Sequence, residues 1–400
     1  MGSKTVKRLI CKMRLHLPAI PHTITSPEFS HCAFTGKVLR FAPMMRSRGY
    51  EVLRYGVEGS SDIYILTRAE WDELRIQSHR ELYPDKVIKA QDFIGDLANV
   101  GTPLYKEFNR RLRQALIEHY RDGDIVCLPF GEAHREAVDG LNVIAVESGI
   151  GYPTSFLPFR IYESHAAKAW ACGRENTSPQ NYWFVCPNYY DVTEWPFGET
   201  TRPLVGHFGR ICAIKGLDIV VEVARRFPHI DFVICGQGED TFTQQSVNLR
   251  YQPPLHGRER GVWLSQLTCL LAPSIYHEPF CGVNVEAQLC GTPVIAPESG
   301  AFVETVEQFR TGLLCHTLAD YCKGVQMALD GHFDRRYVHE RAQRYDMYEV
   351  AKQYDYAFKC IADLRHAGWY ADATHLDVLA APRACTSADP SPPDTPRSAE

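Results

Sequence analysis

Residues 277–300 read HEPFCGVNVEAQLCGTPVIAPESG, and their order decides the fold. Two glutamates, Glu278 and Glu286, bracket a short glycine-bearing turn and the start of a helix. The chain then runs into TPVIAP, a compact apolar strand. Just upstream, CLLAPS is a second apolar strand, so IYHEPFCG is a loop at a strand's C-terminal end. Strand, loop, helix, strand is the repeating unit of an α/β protein with a parallel sheet. The plain alternative for the two carboxylates is that both are ordinary surface residues, as glutamates mostly are.

Composition narrows the class. A chain of 400 residues exceeds one hydrophobic core and predicts about two to three domains. The 45% hydrophobic and 23% charged content is that of a soluble globular protein. A formal net charge of −5 provides no general basic field for nucleic acid or an anionic membrane. The 14 cysteines are scattered, without CxxC pairs or Cys/His ligand spacing, which predicts reduced thiols in a cytoplasmic setting and no zinc site. MGSKTVKRLICKMRLHLPAIPH interleaves Lys and Arg with its apolar residues, so no signal peptide is expected. No stretch reaches the ~18 apolar residues of a membrane span.

Along the chain, short apolar runs alternate with helical patterns. RLHLPAI, YEVLRYGV, DIYILT, DIVCLPFG, NVIAVES and YWFVCPN read as strands. GKVLRFAPMMRSRG, RAEWDELRIQSH and LYKEFNRRLRQALIEHYRDG read as helices, with Pro43 kinking the first. FRIYESHAAKAW reads as helix, with His165 on its surface or in the core. NRRLRQ, residues 109–114, is a solvated helix face. Residues 186–203 form a Pro/Asn/Gly-rich linker. A second set follows: PLVGHFG, IDFVICG, LTCLLAPS, TPVIAP and TGLLC as strands, and GLDIVVEVARRFP as a helix. The predicted organisation is an α/β pair of doubly wound, Rossmann-like domains, 1–190 and 191–334. An amphipathic helical segment, 335–368, and a Pro/Ser-rich disordered tail, 369–400, complete it.

Three segments carry chemistry. In FGRICAIKGLD, residues 208–218, Arg210 and Lys215 lie between a strand end and a helix start, which suits a diphosphate, although a solvated surface loop has the same composition. In ICGQGED, the third glycine of a dinucleotide fingerprint would fall at Thr241, so a nicotinamide or flavin enzyme is not expected. Gly236, Gly238 and Glu239 instead suit the approach of a nucleobase, together with residues 251–257. In the opening stretch, small Cys281 and Gly282 allow a phosphate near the free N–H groups of the new helix. Glu286 lies roughly 6 Å along its axis. That is a phosphate-to-ribose distance, and a carboxylate accepts well from vicinal ribose hydroxyls. Glu278 then faces the sugar end. His207 and His277 flank these loops, either lining the cleft or packed neutral.

The order GR….KG, GxGE, and EPF….E followed by GTPVIA and a glycine with..E resembles the retaining nucleotide-sugar glycosyltransferases of glycosyltransferase family 4, which have the GT-B fold. The resemblance covers about residues 185–330 and includes CPNYYD, with Asn188 and Asp191 in place. It implies that the first domain binds an acceptor and the second a nucleotide-sugar donor, with the last long helix crossing back to the first. It implies donor diphosphate on Arg210 and Lys215, and ribose on Glu286. Donor-sugar hydroxyls near the reacting carbon fall to Glu278, and phosphate or sugar to the amides of Cys281, Gly282 and Val283. No cofactor or metal is implied, since protein cations stabilise the leaving group, and no protein nucleophile is needed for attack from the leaving-group face.

Two departures stand out. Cys281 occupies a position usually held by glycine, so the backbone contact is expected to shift by one residue. In the first half, HCAFTGK has the single Gly36, and ESGIGYP places Glu147 and Ser148 where a histidine is common. Thr35, Gly36, Glu147 and Tyr152 are the acceptor-pocket candidates. The expected activity is transfer of a sugar from a UDP- or GDP-linked donor to an acceptor hydroxyl with retention. A nucleotide-sugar epimerase or phosphorylase on the same fold and a non-catalytic scaffold remain as alternatives. The acceptor is open among glycan, lipid, protein side chain and modified DNA base, the net charge disfavouring the nucleic acid and the lack of a membrane helix the lipid. Oligomeric state is equally open.

Overall fold

The computed structural model describes residues 13–29, 32–85, 87, 100–152 and 154–364; the expected tail 369–400 and residues 365–368 lie outside them. Each half of the chain builds one parallel sheet. The first comprises β1 (Arg14–Pro18), β2 (Glu51–Val57), β3 (Ile63–Leu66), β4 (Ile125–Leu128), β5 (Ile144–Ile150), β6 (Phe159–Tyr162) and β7 (Trp183–Val185), in the order β3-β2-β1-β4-β5-β6-β7. The second comprises β8 (Leu204–Phe208), β9 (Asp231–Cys235), β10 (Leu249–Gln252), β11 (Cys269–Leu271), β12 (Val294–Pro297) and β13 (Gly312–Cys315), in the order β10-β9-β8-β11-β12-β13. In both sheets strand order reverses beside the first strand, between β1 and β4 and between β8 and β11. Each reversal opens a crevice at the strands' C-terminal ends, where ligands of doubly wound folds bind.

β6 and β10 are strands where helix or loop was expected. FRIY runs four residues with Arg160 in it, and that guanidinium is covered by Trp183, 4.3 Å from the ring centroid, and paired with Glu175 at 2.7 Å. The charge is accommodated by tertiary contacts that no local pattern announces. LRYQ is an edge strand, half-buried and too short to show alternation. The helix Ala33–Ser47 continues through Pro43.

The expected single helical segment 335–368 is two helices with different hosts. Arg335–Ala342 packs on the second-domain helix Gly282–Leu289, a turn at Gln343–Tyr345 intervenes, and Met347–Leu364 returns to the first domain. The break follows from Asp346, whose extended backbone and side chain start the last helix by accepting from Tyr348 N at 2.7 Å. Val350, Tyr354, Phe358 and Ile361 of that helix, spaced four, four and three residues apart, are buried in the first-domain core. Phe358 touches Phe41 and Tyr50 edge-on, and Phe358→Ala should cost about 3–5 kcal/mol.

Where the chain crosses, Tyr190 N donates to Tyr345 O at 3.0 Å and Met347 N to Tyr190 O at 2.8 Å. The domains also touch across the crevice. Ser164 Oγ donates to Pro279 O at 2.6 Å, and Glu304 of the second domain accepts from His165 N (3.0 Å) and Ala166 N (2.7 Å) of the first. Those two amides open the helix His165–Glu175, so Glu304 supplies from another domain the anion that a helix N-terminus attracts. No helix among the described residues is long and apolar enough to cross a membrane.

Candidate functional site

Two loops of the second domain meet beside the β8/β11 reversal. The first follows β8 and carries Arg210 and Lys215. Its close approach to the neighbouring loop requires glycine: a Cβ on Gly236 would lie 1.6 Å from Gly209 O, and one on Gly216 1.9 Å from Pro273 O. Gly238, at φ +141°, packs the same way against Ile211. Gly236 and Gly238 therefore serve loop-to-loop packing, and Glu239 is exposed at the rim.

The second loop follows β11 and holds Glu278. Its carboxylate is 5% exposed, accepts from Ser274 Oγ at 2.6 Å, and is in direct ion-pair contact with Lys215 Nζ. Burial works most strongly against the Lys215 ammonium, yet the charge and hydrogen bond of Glu278, together with Cys281, outweigh it, and the lysine pKa is raised. Gly300, at φ +56°, lies against the Glu278 backbone, and Ala301 N donates to Glu278 O at 2.9 Å. Arg210 is exposed at the mouth of the same loop pair. His207 donates from Nδ1 to Leu271 O at 2.9 Å, and burial lowers its pKa to about 4. It is a packed, neutral residue.

Cys281 adopts φ 62°, the left-handed conformation that favours glycine, and the helix begins at the next residue, Gly282. A non-glycine residue there costs about 1–2 kcal/mol, strain of the kind that collects at functional sites. The amides of Gly282 and Val283 lie in the first turn, where a helix has no internal partner for them. Tyr190 from the crossover donates its hydroxyl to Gly282 O at 3.2 Å and holds that turn in place.

One turn on, Glu286 is 8% exposed. Its Oε1 accepts from Arg260 Nη2 at 3.1 Å, and its Oε2 is buried without a partner. The structure thus gathers Lys215, Glu278, Cys281, Gly282, Val283 and Glu286 around one helix N-terminus, each carboxylate matched with one cation. Arg260 and Ser274 were missed: Arg260 lies in GRERG, which reads as solvated helix, and a lone serine before a loop gives no signal.

The first-domain candidates behave differently. Glu147 is fully buried and satisfied: Phe156 N (2.7 Å) and Leu157 N (2.8 Å) donate to Oε1, and Tyr152 OH (2.8 Å) to Oε2. It fastens its own loop. Burial raises its pKa against the pull of those donors. Tyr152 packs beside Gly131, and Thr35 shares a short hydrogen bond with Thr23 inside the core. Gly36 is buried in the first turn of its helix. The polar side-chain atoms of Thr35, Glu147 and Tyr152 are thus all engaged within the first domain. Beside Gly36 in sequence lies a charged pair that the sequence did not flag. Lys37 is ion-paired with Glu163 and donates to Gly149 O at 3.0 Å, while linker Asn188 donates to Glu163 at 3.0 Å. Between the domains, Glu163, Ser164, Phe280, Glu304, Arg344 and Tyr345 help to line a cavity of about 250 Å³. Among the described residues, no group of three or more His, Cys, Asp or Glu side chains could hold a metal ion.

Residues 195–344 match the family model of glycosyl transferases group 1. Among curated proteins, the chain is 35% identical over 133 residues to an alpha-maltose-1-phosphate synthase of Mycolicibacterium smegmatis, covering 30% of this chain and 34% of that protein. It is 29% identical over 160 residues to a D-inositol 3-phosphate glycosyltransferase of the same organism, covering 36% and 37%. The matched segment thus spans about a third of those relatives. Among solved structures, AviGT4, a glycosyltransferase involved in avilamycin A biosynthesis, superposes with a TM-score of 0.60 at 16% identity, covering 88% of this chain and 98% of that one. Anabaena Alr3699/HepE in complex with UDP-glucose superposes at 0.59 and 17% identity, covering 87% and 100%. The fold is GT-B.

Proposed function

We propose that the protein is a glycosyltransferase that moves a sugar from a nucleoside-diphosphate sugar to an acceptor hydroxyl with retention of anomeric configuration. The observation that carries this reading is the paired arrangement at one helix N-terminus. Glu278 with Lys215 lies on one side, and Glu286 with Arg260 one turn along. The family match over residues 195–344 and the UDP-glucose bound by the Anabaena neighbour support it.

In this mechanism Lys215, Arg210 and the amides of Gly282 and Val283 take the donor diphosphate. Buried Glu278 accepts hydrogen bonds from sugar hydroxyls beside the reacting carbon, and Glu286 accepts from the ribose. As the bond from the anomeric carbon to the phosphate oxygen breaks, negative charge grows on the diphosphate, where the two cations and the helix end stabilise it without reorganising. The acceptor oxygen bonds to the same face of the sugar and its proton passes to the departing diphosphate. The acceptor enters from the first-domain side of the crevice and contributes only a hydroxyl. No metal or cofactor is required in this scheme.

The test is release of nucleoside diphosphate from UDP- and GDP-sugars, without and with candidate glycan acceptors, and the anomeric configuration of the product by NMR. The parent should release one diphosphate with a retained linkage, and Glu278→Gln should lose about a hundredfold or more of the rate, as removal of transition-state contacts does. Conversion of the nucleotide sugar with no diphosphate released would establish an epimerase instead. Binding without turnover in the presence of every acceptor would favour the scaffold.

A further inference from the structure

We propose that Arg260 is a positioning residue for the ribose-binding carboxylate, and that Arg260 and Trp195 complete with Glu286 a clamp for a vicinal diol. This rests on the donor reading above. Arg260 touches both Glu286 and Trp195, and the three residues leave three buried polar atoms without partners: Glu286 Oε2, Arg260 Nε and Trp195 Nε1. Buried polar atoms are almost always satisfied, so three orphans in one cluster point to a missing group. Their chemistry is complementary, one charged acceptor and two N–H donors, and a hydroxyl both donates and accepts. A pair of neighbouring hydroxyls fits that set, whereas a phosphate or a carbonyl would offer nothing to Oε2.

Arg260 is also held in place independently of any ligand. Its guanidinium carbon lies 5.3 Å from the ring centroids of both Trp195 and Phe208, and Nη2 bonds Glu286 Oε1. Swinging it out would forfeit two ring contacts and a charged hydrogen bond, so it stays as a fixed prop. The prop orients the carboxylate, which is 8% exposed, and leaves the second oxygen for the ligand. Trp195 comes from the segment between the domains, and Arg260 from the helix Gly257–Ser265. The clamp is therefore built only when the crossover packs on that helix; Gly261 allows this by its contact with Pro196.

The experiment is calorimetric titration of the full chain, parent, Arg260→Gln and Arg260→Lys, with UDP, GDP and their 2′-deoxy forms. The parent should prefer one ribonucleotide over its 2′-deoxy form by about tenfold or more, the discrimination of a site built to bond a hydroxyl. Arg260→Gln should bring that ratio close to one while 2′-deoxy affinity changes little, and Arg260→Lys should restore part of it. A variant that keeps the parent ratio, or that weakens both forms equally, overturns the role of Arg260. A parent that binds neither diphosphate, or binds one with no ribo preference, overturns the ribose reading itself and this inference with it. If Arg260→Gln does not fold, the Lys variant decides alone, since it keeps the charge and loses the planar fork.

Discussion

Lys215→Met removes one ammonium and leaves the side-chain stem. In the parent, Glu278 has two partners, Lys215 Nζ and Ser274 Oγ, and is 5% exposed. The variant leaves a buried carboxylate with a neutral hydroxyl alone. Breaking a buried pair costs about 3–5 kcal/mol. Because the lysine side chain is 18% exposed, water already screens part of the attraction, and the low end, about 3 kcal/mol, applies. For a domain of this size that is a midpoint lowered by roughly 6–12 °C. Adding Glu278→Gln removes the unpaired charge and keeps the bond from Ser274, so the double variant should lose only about 1 kcal/mol relative to the parent. The coupling between the two positions is then about 2 kcal/mol plus the cost of Glu278→Gln alone. Urea and thermal unfolding of the parent, both singles and the double at one pH would measure it. A Lys215→Met protein as stable as the parent, or a double variant no better than Lys215→Met, would refute the reasoning.

Other expectations concern the first domain and the crevice. Glu147 has a folded-state pKa raised by burial, so its neutral form is the one the fold prefers. Parent stability should rise as pH falls through that raised value toward the ordinary carboxyl value, about 4.3, and be lost in the other direction. Glu147→Gln keeps an acceptor for both backbone amides and does not titrate. Unfolding between pH 5 and 8 should show it at least as stable as the parent near neutrality, with the gap closing in acid; a gap that widens in acid would contradict this. Glu304→Ala removes the acceptor for two amides that tie one domain to the other, a loss of about 1–2 kcal/mol in docking. Solution scattering should report a larger radius of gyration, and an unchanged curve would show that the contact does not hold the domains together.

Much of the fold was legible because its strands are short apolar runs, such as VIAP and IVCL, separated by helices with periodic apolar faces. β6 and β10 escaped because Arg160 interrupts one and the other lies at a sheet edge. The break at 343–346 escaped because the helical pattern resumes at once. On the donor side, Lys215, Glu278 and Glu286 could be picked out since each follows a strand end or opens a helix. What could not be read was pairing: that Lys215 reaches Glu278 across 63 residues, and that Arg260 props Glu286, are facts of packing. The same holds for Glu147: that three donors from residues 152–157 satisfy this carboxylate of β5 could not be read from ESGIGYP.

The most direct measurement is thermal unfolding of the parent and Glu286→Ala with UDP, GDP and ADP and their common sugars. At ~100 times its dissociation constant, a bound nucleotide adds about 2.7 kcal/mol to stability. The donor-clamp account predicts that one nucleotide raises the midpoint of the parent and leaves that of Glu286→Ala nearly unmoved. Equal stabilisation of both proteins by every nucleotide would contradict it.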